Sequence, residues 1–356
     1  MKQKKKLHPL LIAVIVLLVL MLTLCAVVLG LWYHGRSTIN TPTEGPNLPS
    51  QSEQGEAGEE GEETPSASYL DYNGRRYVYN EDMRNILLMG IDSNLNPDEA
   101  AGSHDQCDVL VLAALDLKQN KMTLISLARD IICDIELVDA AGEHVGLKKT
   151  HLALAYAYGD GQKGSCEVTR DAVSNIFYGL PIQGYGAYYL NGIETLNDAV
   201  GGVTVNLICD YPFTVCKGAE RLTQDLEGTD VTLKGVEARV YIQMRDENRV
   251  DANELRMVRQ KQYMLALLSK VKSTLKENPG ALLKLYDAVD DYVITNLGLG
   301  EISYLATQAV GMEFTGDIRN LTGELILNEE NMAELHLDQQ ALYELMLDVF
   351  YTPIEE

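Results

Sequence analysis

The chain has 356 residues, of which 46% are hydrophobic and 23% are charged, and these values suit a folded protein with a sizeable core. Its formal net charge is −23, from 29 basic and 52 acidic residues. This acidity argues against a nucleic-acid-binding protein, which needs a basic face to neutralise phosphates. One very apolar block near the N-terminus argues against a plain cytosolic enzyme.

The N-terminal 33 residues have the pattern of a membrane anchor. Four lysines within residues 2–6 precede an uncharged run from Pro9 to Tyr33, and about 20 apolar residues are enough to cross a bilayer as a helix. A cleaved signal peptide would have an apolar core of about 7–15 residues and a small-residue cleavage site, whereas this core is longer and no such site follows. Since lysines favour the cytoplasmic side, the sequence predicts a cytoplasmic segment 1–8, a signal anchor 9–33 and an extracellular remainder of a single-pass cell-membrane protein.

The segment after the anchor has the composition of a spacer. Residues 37–68 are mostly Ser, Thr, Pro, Gly, Gln and Glu, with seven glutamates and no Lys or Arg. Such a segment buries too little apolar surface to offset the entropy of ordering. The sequence therefore predicts a flexible acidic linker over 34–68 and one extracellular domain over 69–356.

The predicted domain alternates short apolar runs with helical patterns. Apolar runs bounded by turn residues predict strands at 84–91, 108–117, 121–127, 181–189 and 203–207, the second and third joined as a hairpin. Helical spacing predicts helices around 151–158, 167–178, 192–200, 235–244 and 253–276, with more helices and one or two strands over 280–356. Strands interleaved with helices favour an α/β/α sandwich.

Six cysteines leave their pairing open. Cys25 lies in the predicted anchor, and the five others cannot all pair within one chain because their number is odd. Cys209 and Cys216 flank a short loop and could close a hairpin. No cluster of Cys and His has the spacing of a zinc site.

Two aspartates lie at adjacent ends of neighbouring predicted strands. Asp92 follows the first strand and Asp108 begins the second, and two carboxylates at one sheet edge can hold a hard divalent ion whose shell is completed by phosphate oxygens and water. The alternative is a pair of loop-capping aspartates. Arg129 ends the third strand and could reach the same edge, or it could form an ion pair with Asp130.

A second group of polar residues lies between 245 and 260. Arg256 and Gln260 stack one helical turn apart, with Arg259 beside them, and Arg245 precedes this helix. An Arg/Arg/Gln face on so acidic a chain predicts an oxyanion clamp, because the planar guanidinium donates bidentate bonds to phosphates. The alternative is a solvated helix face.

The motifs together resemble the LytR–CpsA–Psr family in order and spacing. They are NILLMGID, CDVLVLAALDLKQNKMTLISLARD, AYAYGDG, LNDAVGGVTVN and RMVRQKQ, and they span roughly residues 84–270. The single anchor and the spacer also fit this family.

The resemblance implies an α-β-α sandwich with a central mixed sheet and an apolar lipid pocket. It also implies an extracytoplasmic enzyme of mainly Gram-positive bacteria. Such enzymes transfer an anionic glycopolymer of the teichoic-acid or capsule type from a polyprenyl-pyrophosphate carrier to peptidoglycan. The partners implied are this lipid-linked glycan, peptidoglycan and the membrane, and nucleic acid is not among them. Two alternatives are a polyprenyl-phosphate-binding envelope regulator and a pyrophosphate hydrolase.

The resemblance also implies roles for individual residues. Asp92 and Asp108 match metal-linked aspartates for Mg²⁺, with Mn²⁺ as an alternative ion, and they join Arg129 and Arg256 as catalytic residues. The implied pyrophosphate-binding set is Arg129, Lys148, Arg245, Arg256, Arg259 and Gln260.

Three positions depart from the family pattern. Gln106 stands where relatives often have Arg, and residues 252–256 read ANELR where the family has G-D-x-G-R. The family Lys before the AYAYG stretch matches Lys148 or Lys149, and the sequence leaves the choice open.

Overall fold

The computed structural model describes residues 27–49, 69–93, 95, 97–138, 144–246, 248–249, 251–314, 316 and 318–354. Most of the predicted anchor and the 50–68 part of the predicted linker lie outside these residues. Among the helices that are described, none combines the length and the apolar character needed to cross a bilayer.

Fifteen strands and eight helices can be placed among the described residues. The strands are β1 (Tyr69–Tyr72), β2 (Arg75–Tyr79), β3 (Met83–Ile91), β4 (Cys107–Asp116), β5 (Lys121–Leu127), β6 (Ile132–Val138), β7 (His144–His151), β8 (Gly184–Tyr189), β9 (Val203–Asn206), β10 (Asp230–Leu233), β11 (Val293–Thr295), β12 (Ile318–Asn320), β13 (Gly323–Leu327), β14 (Ala333–Leu337) and β15 (Tyr351–Pro353). The helices are α1 (27–39), α2 (Lys163–Ile176), α3 (Ile193–Ala199), α4 (Val236–Gln243), α5 (Ala252–Glu277), α6 (Ala281–Val289), α7 (Leu299–Gly311) and α8 (Gln339–Phe350).

The central sheet has six strands in the order β11-β8-β3-β4-β5-β12. Strands β3, β4 and β5 form an antiparallel meander, whereas β8 joins β3 and β12 joins β5 in parallel. The middle strands are continuous apolar runs because helices cover both faces of the sheet. The predicted mixed sheet is confirmed.

Side chains of the sheet alternate between two apolar layers. One layer packs against α2 and α8 and includes Leu87, Met89 and Leu112. The other layer packs against α5 and α7 and includes Ile86 and Val111. A third apolar cluster joins β9 and β10 to α3, α4, α5 and α6 beside the sheet.

Part of the predicted linker packs on the domain. Ile39 and Leu48 are buried among the apolar side chains of two different layers, and the Asn47 N–H donates to the Tyr178 carbonyl at 2.7 Å. The structure therefore differs from the prediction of a free spacer over residues 34–49, because two apolar residues in this polar segment reach the core.

Other differences concern polar strands. Residues 132–138 and 144–151 pair as the antiparallel strands β6 and β7, and the helix predicted around 151–158 is instead two short 3₁₀ turns, Leu152–Leu154 and Tyr156–Tyr158. The five cysteines of the described residues are free thiols, including Cys209 and Cys216. The suggested 209–216 disulfide is therefore not formed.

Candidate active site

A β-bulge shapes the edge of the sheet where the two predicted aspartates lie. Gly90 pairs with Val109 but Ile91 pairs with Cys107, so Asp108 is an extra residue with no partner in β3. Bulges redirect side chains and are over-represented beside active sites. The bulge thus turns the carboxylate of Asp108 out of the regular alternation of β4.

Asp92 is held next to this bulge by the backbone. It follows β3 directly, and its N–H donates to the Gln106 carbonyl at 3.3 Å. The Asp92 side chain is exposed and that of Asp108 is half-buried. The loop between the two strands therefore closes on itself and places both carboxylates at one edge, as the sequence predicted.

Arg129 reaches the same edge from the end of β5. Its guanidinium donates to Oδ1 of Asp108 at 2.5 Å and lies 3.5 Å from the Asp130 carboxylate. The Arg129 carbonyl accepts a hydrogen bond from the Ala153 N–H at 3.1 Å, which fixes the chain after the strand. Both partners proposed from the sequence for Arg129 are thus real contacts.

Arg256 enters the site from the N-terminal part of α5. Burial lowers its pKa, the nearby Arg245 lowers it further, and the carboxylates of Asp108 and Asp92 raise it. Arg245 is exposed in the connection between α4 and α5. Arg256 of the helix and Arg245 of the connection before it therefore add two guanidinium groups near the two aspartates.

The pKa of Asp108 is influenced by the same charged side chains. Burial raises it above the usual value, and the negative charge of Asp92 raises it further, while Arg129 and Arg256 lower it. The Asp130 carboxylate also acts on Asp108, so Arg129, Arg245 and Arg256 face three carboxylates and bring this edge close to neutral on a chain of net charge −23. Such an arrangement suits an anionic ligand with phosphate groups.

The donor set at this edge fits a magnesium ion that is shared with a substrate. Asp92 and Asp108 supply carboxylate oxygens, and Mg²⁺ is commonly held by one or two carboxylates together with substrate phosphates and waters. Over the described residues no group of three or more His, Cys, Asp or Glu side chains could hold a metal. An ion here would therefore need oxygens from its ligand.

Two predicted phosphate-binding residues have other contacts. The Gln260 side-chain amide donates to the Ile242 carbonyl at 3.1 Å and so ties α5 to α4. The Lys148 ammonium lies 5.0 Å from the centre of the Tyr158 ring. Since neighbouring residues of a strand point to opposite faces, Lys148 and not Lys149 faces the AYAYG stretch.

Arg259 is a correction to the predicted site. Its side chain is 0% exposed, its Nε lies 2.8 Å from Oδ1 of Asp210, and it donates to the Met244 carbonyl. Its guanidinium also lies 5.3 Å and 5.5 Å from the ring centres of Phe213 and Tyr241. The predicted pyrophosphate contact of Arg259 is wrong because this guanidinium is buried in the lobe beside the sheet.

The family resemblance implied an apolar pocket, but the sequence did not identify the residues of the apolar groove that lies next to the charged edge. Leu88 and Val109 are 37% and 39% exposed although they lie in the middle strands of the sheet. Beside them, a side chain at Gly186 of β8 would meet no atom within 4 Å. The strands read as unbroken apolar runs, and a strand has this pattern whether its face is covered or uncovered. The sequence therefore could not predict which residues stay exposed.

Comparison with known protein families matches residues 49–344 to the LytR_cpsA_psr family. The chain belongs to this family. Among curated members, Biofilm regulatory protein A of Streptococcus mutans is 26% identical over 235 residues, which cover 65% of this chain and 55% of that protein.

Two further relatives are named as transferases. The polyisoprenyl-teichoic acid–peptidoglycan teichoic acid transferase TagV of Bacillus subtilis is 28% identical over 250 residues, covering 69% of this chain and 58% of that protein. The enzyme of the same type named TagU in Enterococcus faecalis is 27% identical over 232 residues, covering 64% of this chain and 66% of that protein. The chain spans less than two thirds of the length of all three relatives.

Solved structures of LytR_cpsA_psr proteins share the fold. Bacillus subtilis TagV matches with a TM-score of 0.56 at 25% identity, over 75% of this chain and 96% of that chain. Protein gbs0355 of Streptococcus agalactiae matches with a TM-score of 0.59 at 22% identity, over 75% and 86%. TagT bound to LI-WTA matches with a TM-score of 0.55 at 21% identity, over 76% and 90%.

Proposed function

We propose that this chain is a glycopolymer phosphotransferase, which moves an anionic polymer from a polyprenyl-pyrophosphate carrier to peptidoglycan. The observation that carries the proposal is the pairing of an apolar groove with an edge that carries several arginines. The groove at Leu88, Val109 and Gly186 suits an isoprenoid chain, and the guanidinium groups of Arg129 and Arg256 suit the pyrophosphate at its end. Few ligands other than a lipid pyrophosphate need both surfaces side by side.

The names of relatives support the same chemistry. TagV and TagU are named for moving teichoic acid from a polyisoprenyl carrier to peptidoglycan, and TagT is a structural neighbour that binds LI-WTA. We extend to this chain the carrier and acceptor classes that these names give.

In the proposed reaction the arginines bind and orient the pyrophosphate. Arg129, Arg245 and Arg256 neutralise its oxygens, and the groove fixes the lipid so that the sugar-side phosphorus faces the open edge. A hydroxyl of peptidoglycan attacks this phosphorus, the bond to the bridging oxygen breaks, and polyprenyl phosphate leaves. The hydroxyl proton passes to one of the two carboxylates. Phosphoryl transfer of this kind depends mainly on positioning and charge stabilisation.

The proposal includes a divalent ion. Asp92 and Asp108 would hold Mg²⁺ or Mn²⁺, and the ion would neutralise charge on the pyrophosphate when bound. Burial and like charge raise the pKa of Asp108 in the metal-free protein, and a cation next to it would remove this penalty.

The proposal also places the chain at the cell surface. The apolar segment 9–33 would anchor it in the membrane with residues 1–8 in the cytoplasm and the domain outside. This position brings the site to a carrier that stays in the bilayer and to an acceptor in the wall.

The test uses the full chain in neutral detergent with a lipid-pyrophosphate glycan and a peptidoglycan acceptor. We expect acceptor-linked polymer and released polyprenyl phosphate with Mg²⁺, and loss of both products with a chelator. In Asp108→Asn turnover should fall by about a hundredfold or more, whereas the matched exposed control Asp71→Asn should keep it.

Other outcomes identify other functions. Release of glycan phosphate to water without acceptor product would make the chain a pyrophosphate hydrolase. Tight binding of the lipid with no turnover would favour a regulator, the class named in Biofilm regulatory protein A. Equal activity with and without divalent ions would contradict the metal role of Asp92 and Asp108.

A further inference from the structure

A cleft of about 640 Å³ lies between α1, α7 and the β3–β4 pair, at the end of the strands that is remote from the aspartates. Its lining includes Trp32, Arg36, Asp82, Arg84, Lys118 and Tyr304. Three of these residues are cations and one is a carboxylate, which gives a sum of +2 on a chain of net charge −23. The lining is therefore a local cationic surface on an acidic protein.

Arg84 is the buried cation of this cleft. It is 4% exposed, and its Nη1 donates to the carbonyls of Glu81 and Met83 at 2.6 Å each. Its Nε has no hydrogen-bond partner. The nearby Asp82 carboxylate partly offsets the cost of burying this charge, but among the described residues it forms no ion pair with Arg84. Burial of an arginine without a paired carboxylate is unfavourable, so an anion in the cleft would stabilise it.

Aromatic residues of α1 and α7 build the wall beside Arg84. The indole N–H of Trp32 donates to Oγ1 of Thr307 at 3.1 Å, and its ring meets the Tyr304 ring edge-on, with centres 5.5 Å apart. The Asn40 amide donates to the Tyr304 hydroxyl at 2.9 Å. These contacts hold α1 against α7 and fix the shape of the cleft.

Two exposed cations lie at the rim. The Arg36 guanidinium lies 5.9 Å from the centre of the Trp32 ring, and Lys118 is exposed after the end of β4. Two exposed cations at the rim can attract an anion from a distance, and the buried guanidinium can donate directed hydrogen bonds within the cleft.

The cleft is separate from the candidate active site. Met83 pairs with Asp116 at one end of the β3–β4 ladder and Ile91 pairs with Cys107 at the other, which are roughly 25 Å apart at about 3.3 Å per residue. The buried side chains of Ile86 and Val111 lie between the two ends on the same face of the sheet. The cleft would therefore be present whatever reaction occurs at the aspartates.

We propose that this cleft binds a phosphoryl anion through Arg84, Arg36 and Lys118. Two sources of this group fit the position: the headgroup of an anionic phospholipid and a soluble phosphate. Residues 27–33 of the predicted anchor 9–33 are the first part of α1. Val28 and Leu29 are exposed there, whereas Trp32 packs on α7, so a chain anchored by the residues before α1 would present the cleft to lipid headgroups.

Trp32 provides a local probe, because it is the single tryptophan of the chain and lines the cleft. The full chain in neutral detergent is titrated with short-chain phosphatidylglycerol, with phosphatidylcholine and with inorganic phosphate, while Trp32 fluorescence is recorded. We expect a saturable change with phosphatidylglycerol and none with the zwitterionic lipid. A response to inorganic phosphate as well would mean that the phosphoryl group suffices, and no response to it would assign the site to a lipid headgroup.

The double variant Arg36→Gln/Lys118→Gln removes the rim charges and leaves the buried Arg84 in place. We expect the midpoint of the titration to rise about tenfold. The matched control Arg75→Gln/Lys270→Gln removes two exposed cations elsewhere and should titrate like the natural chain. The proposal is overturned if Trp32 responds to neither phosphate probe, if phosphatidylcholine gives the same response, or if the rim and control variants behave alike.

Discussion

The two faces of the central sheet carry similar apolar side chains but are covered to different extents. On the face under α2 and α8, Leu87 is 0% exposed and the neighbouring Met89 and Leu112 are also buried. On the face under α5 and α7, the next residue of the same strand, Leu88, is 37% exposed. Leu87 and Leu88 are neighbours in β3, yet one is fully buried and the other is partly exposed.

We expect the closed face to contribute mainly to stability and the open face mainly to ligand binding. The closed face removes apolar surface from water, which is the main stabilising term in folding. The open face leaves apolar surface beside the charged edge, and unfilled apolar concavities with convergent polar groups are typical ligand sites. Helix α5 shows the same difference between a buried and an open position. Arg259 is buried beside the sheet against Asp210, whereas Arg256 lies at the edge of the groove.

The largest effect is expected for the two arginines of α5. Arg259→Ala removes the buried partner of the largely buried Asp210 carboxylate, and the free energy of unfolding should fall by about 3–5 kcal/mol. Arg256→Ala should leave it within about 1 kcal/mol of the natural chain but weaken lipid-pyrophosphate binding at least tenfold. Denaturant unfolding and a binding titration on both variants check this. A larger loss of stability in Arg256→Ala than in Arg259→Ala would contradict this difference between a buried and an open position.

The adjacent leucines of β3 test the same contrast in the sheet. Leu87→Ala creates a cavity in the closed layer and should cost about 2–5 kcal/mol of stability. Leu88→Ala removes a side chain that is already partly exposed and should cost about 1 kcal/mol or less, while weakening binding of the lipid carrier. Thermal unfolding and lipid binding are measured for both. Equal destabilisation would show that the groove is closed in solution.

Filling the groove should block binding without unfolding the protein. A side chain at Gly186 meets open space, so Gly186→Leu should occupy the groove and reduce affinity for a long-chain lipid pyrophosphate by about tenfold or more. Gly186→Ala, which adds one carbon, is the control and should bind nearly normally. If Gly186→Leu binds the carrier as well as the natural chain does, the isoprenoid does not lie in this groove.

The raised pKa of Asp108 makes a prediction about pH. Because the folded protein takes up this proton at higher pH than the unfolded chain does, ionisation of Asp108 disfavours folding at neutral pH, and the penalty disappears as pH falls through the raised pKa. Asp108→Asn should therefore be at least as stable as the natural chain at pH 7, and this advantage should shrink toward acidic pH. Melting temperatures of the metal-free protein across pH measure it.

The neighbours of Asp108 sharpen this pH prediction. Asp92→Asn should lower the pKa of Asp108 and Arg129→Gln should raise it, since these side chains act on it in opposite directions. Carboxyl NMR titration of the metal-free protein reads both shifts, with Arg75→Gln as a remote control. If the pKa of Asp108 is unchanged in both variants, the three side chains do not share one site.

The smallest effect is expected at the rim of the open face. Gln106 is exposed and its carbonyl is bonded to the Asp92 N–H. Gln106→Arg adds a guanidinium near the proposed pyrophosphate, and exposed charge pairs contribute about 0.2–1 kcal/mol. We expect carrier affinity to rise up to about fivefold and the loss in Arg256→Ala to become smaller. A double-mutant cycle over a Mg²⁺ titration measures the coupling, and strict additivity would place position 106 outside the phosphate site.

The sequence by itself determined the meander of the sheet and the meeting of Asp92, Asp108 and Arg129. Its three strands are continuous apolar runs, of which the second and third are joined by a short turn, and neighbouring strands of a meander bring their ends to one edge. The ordered motifs also determined the family. These properties follow from local pattern and chain connectivity, which a sequence displays directly.

Only the tertiary structure decided which cations face the site and which apolar residues stay uncovered. Helical spacing puts Arg256 and Arg259 about 60° apart around α5, and the position of Asp210 in a distant loop decides that Arg259 turns inward. The polar β6–β7 pair and the docking of Ile39 likewise depend on surfaces formed by remote segments. Burial is a property of what packs against a residue, and that partner is set by the fold of the whole chain, not by the residue's neighbours in sequence.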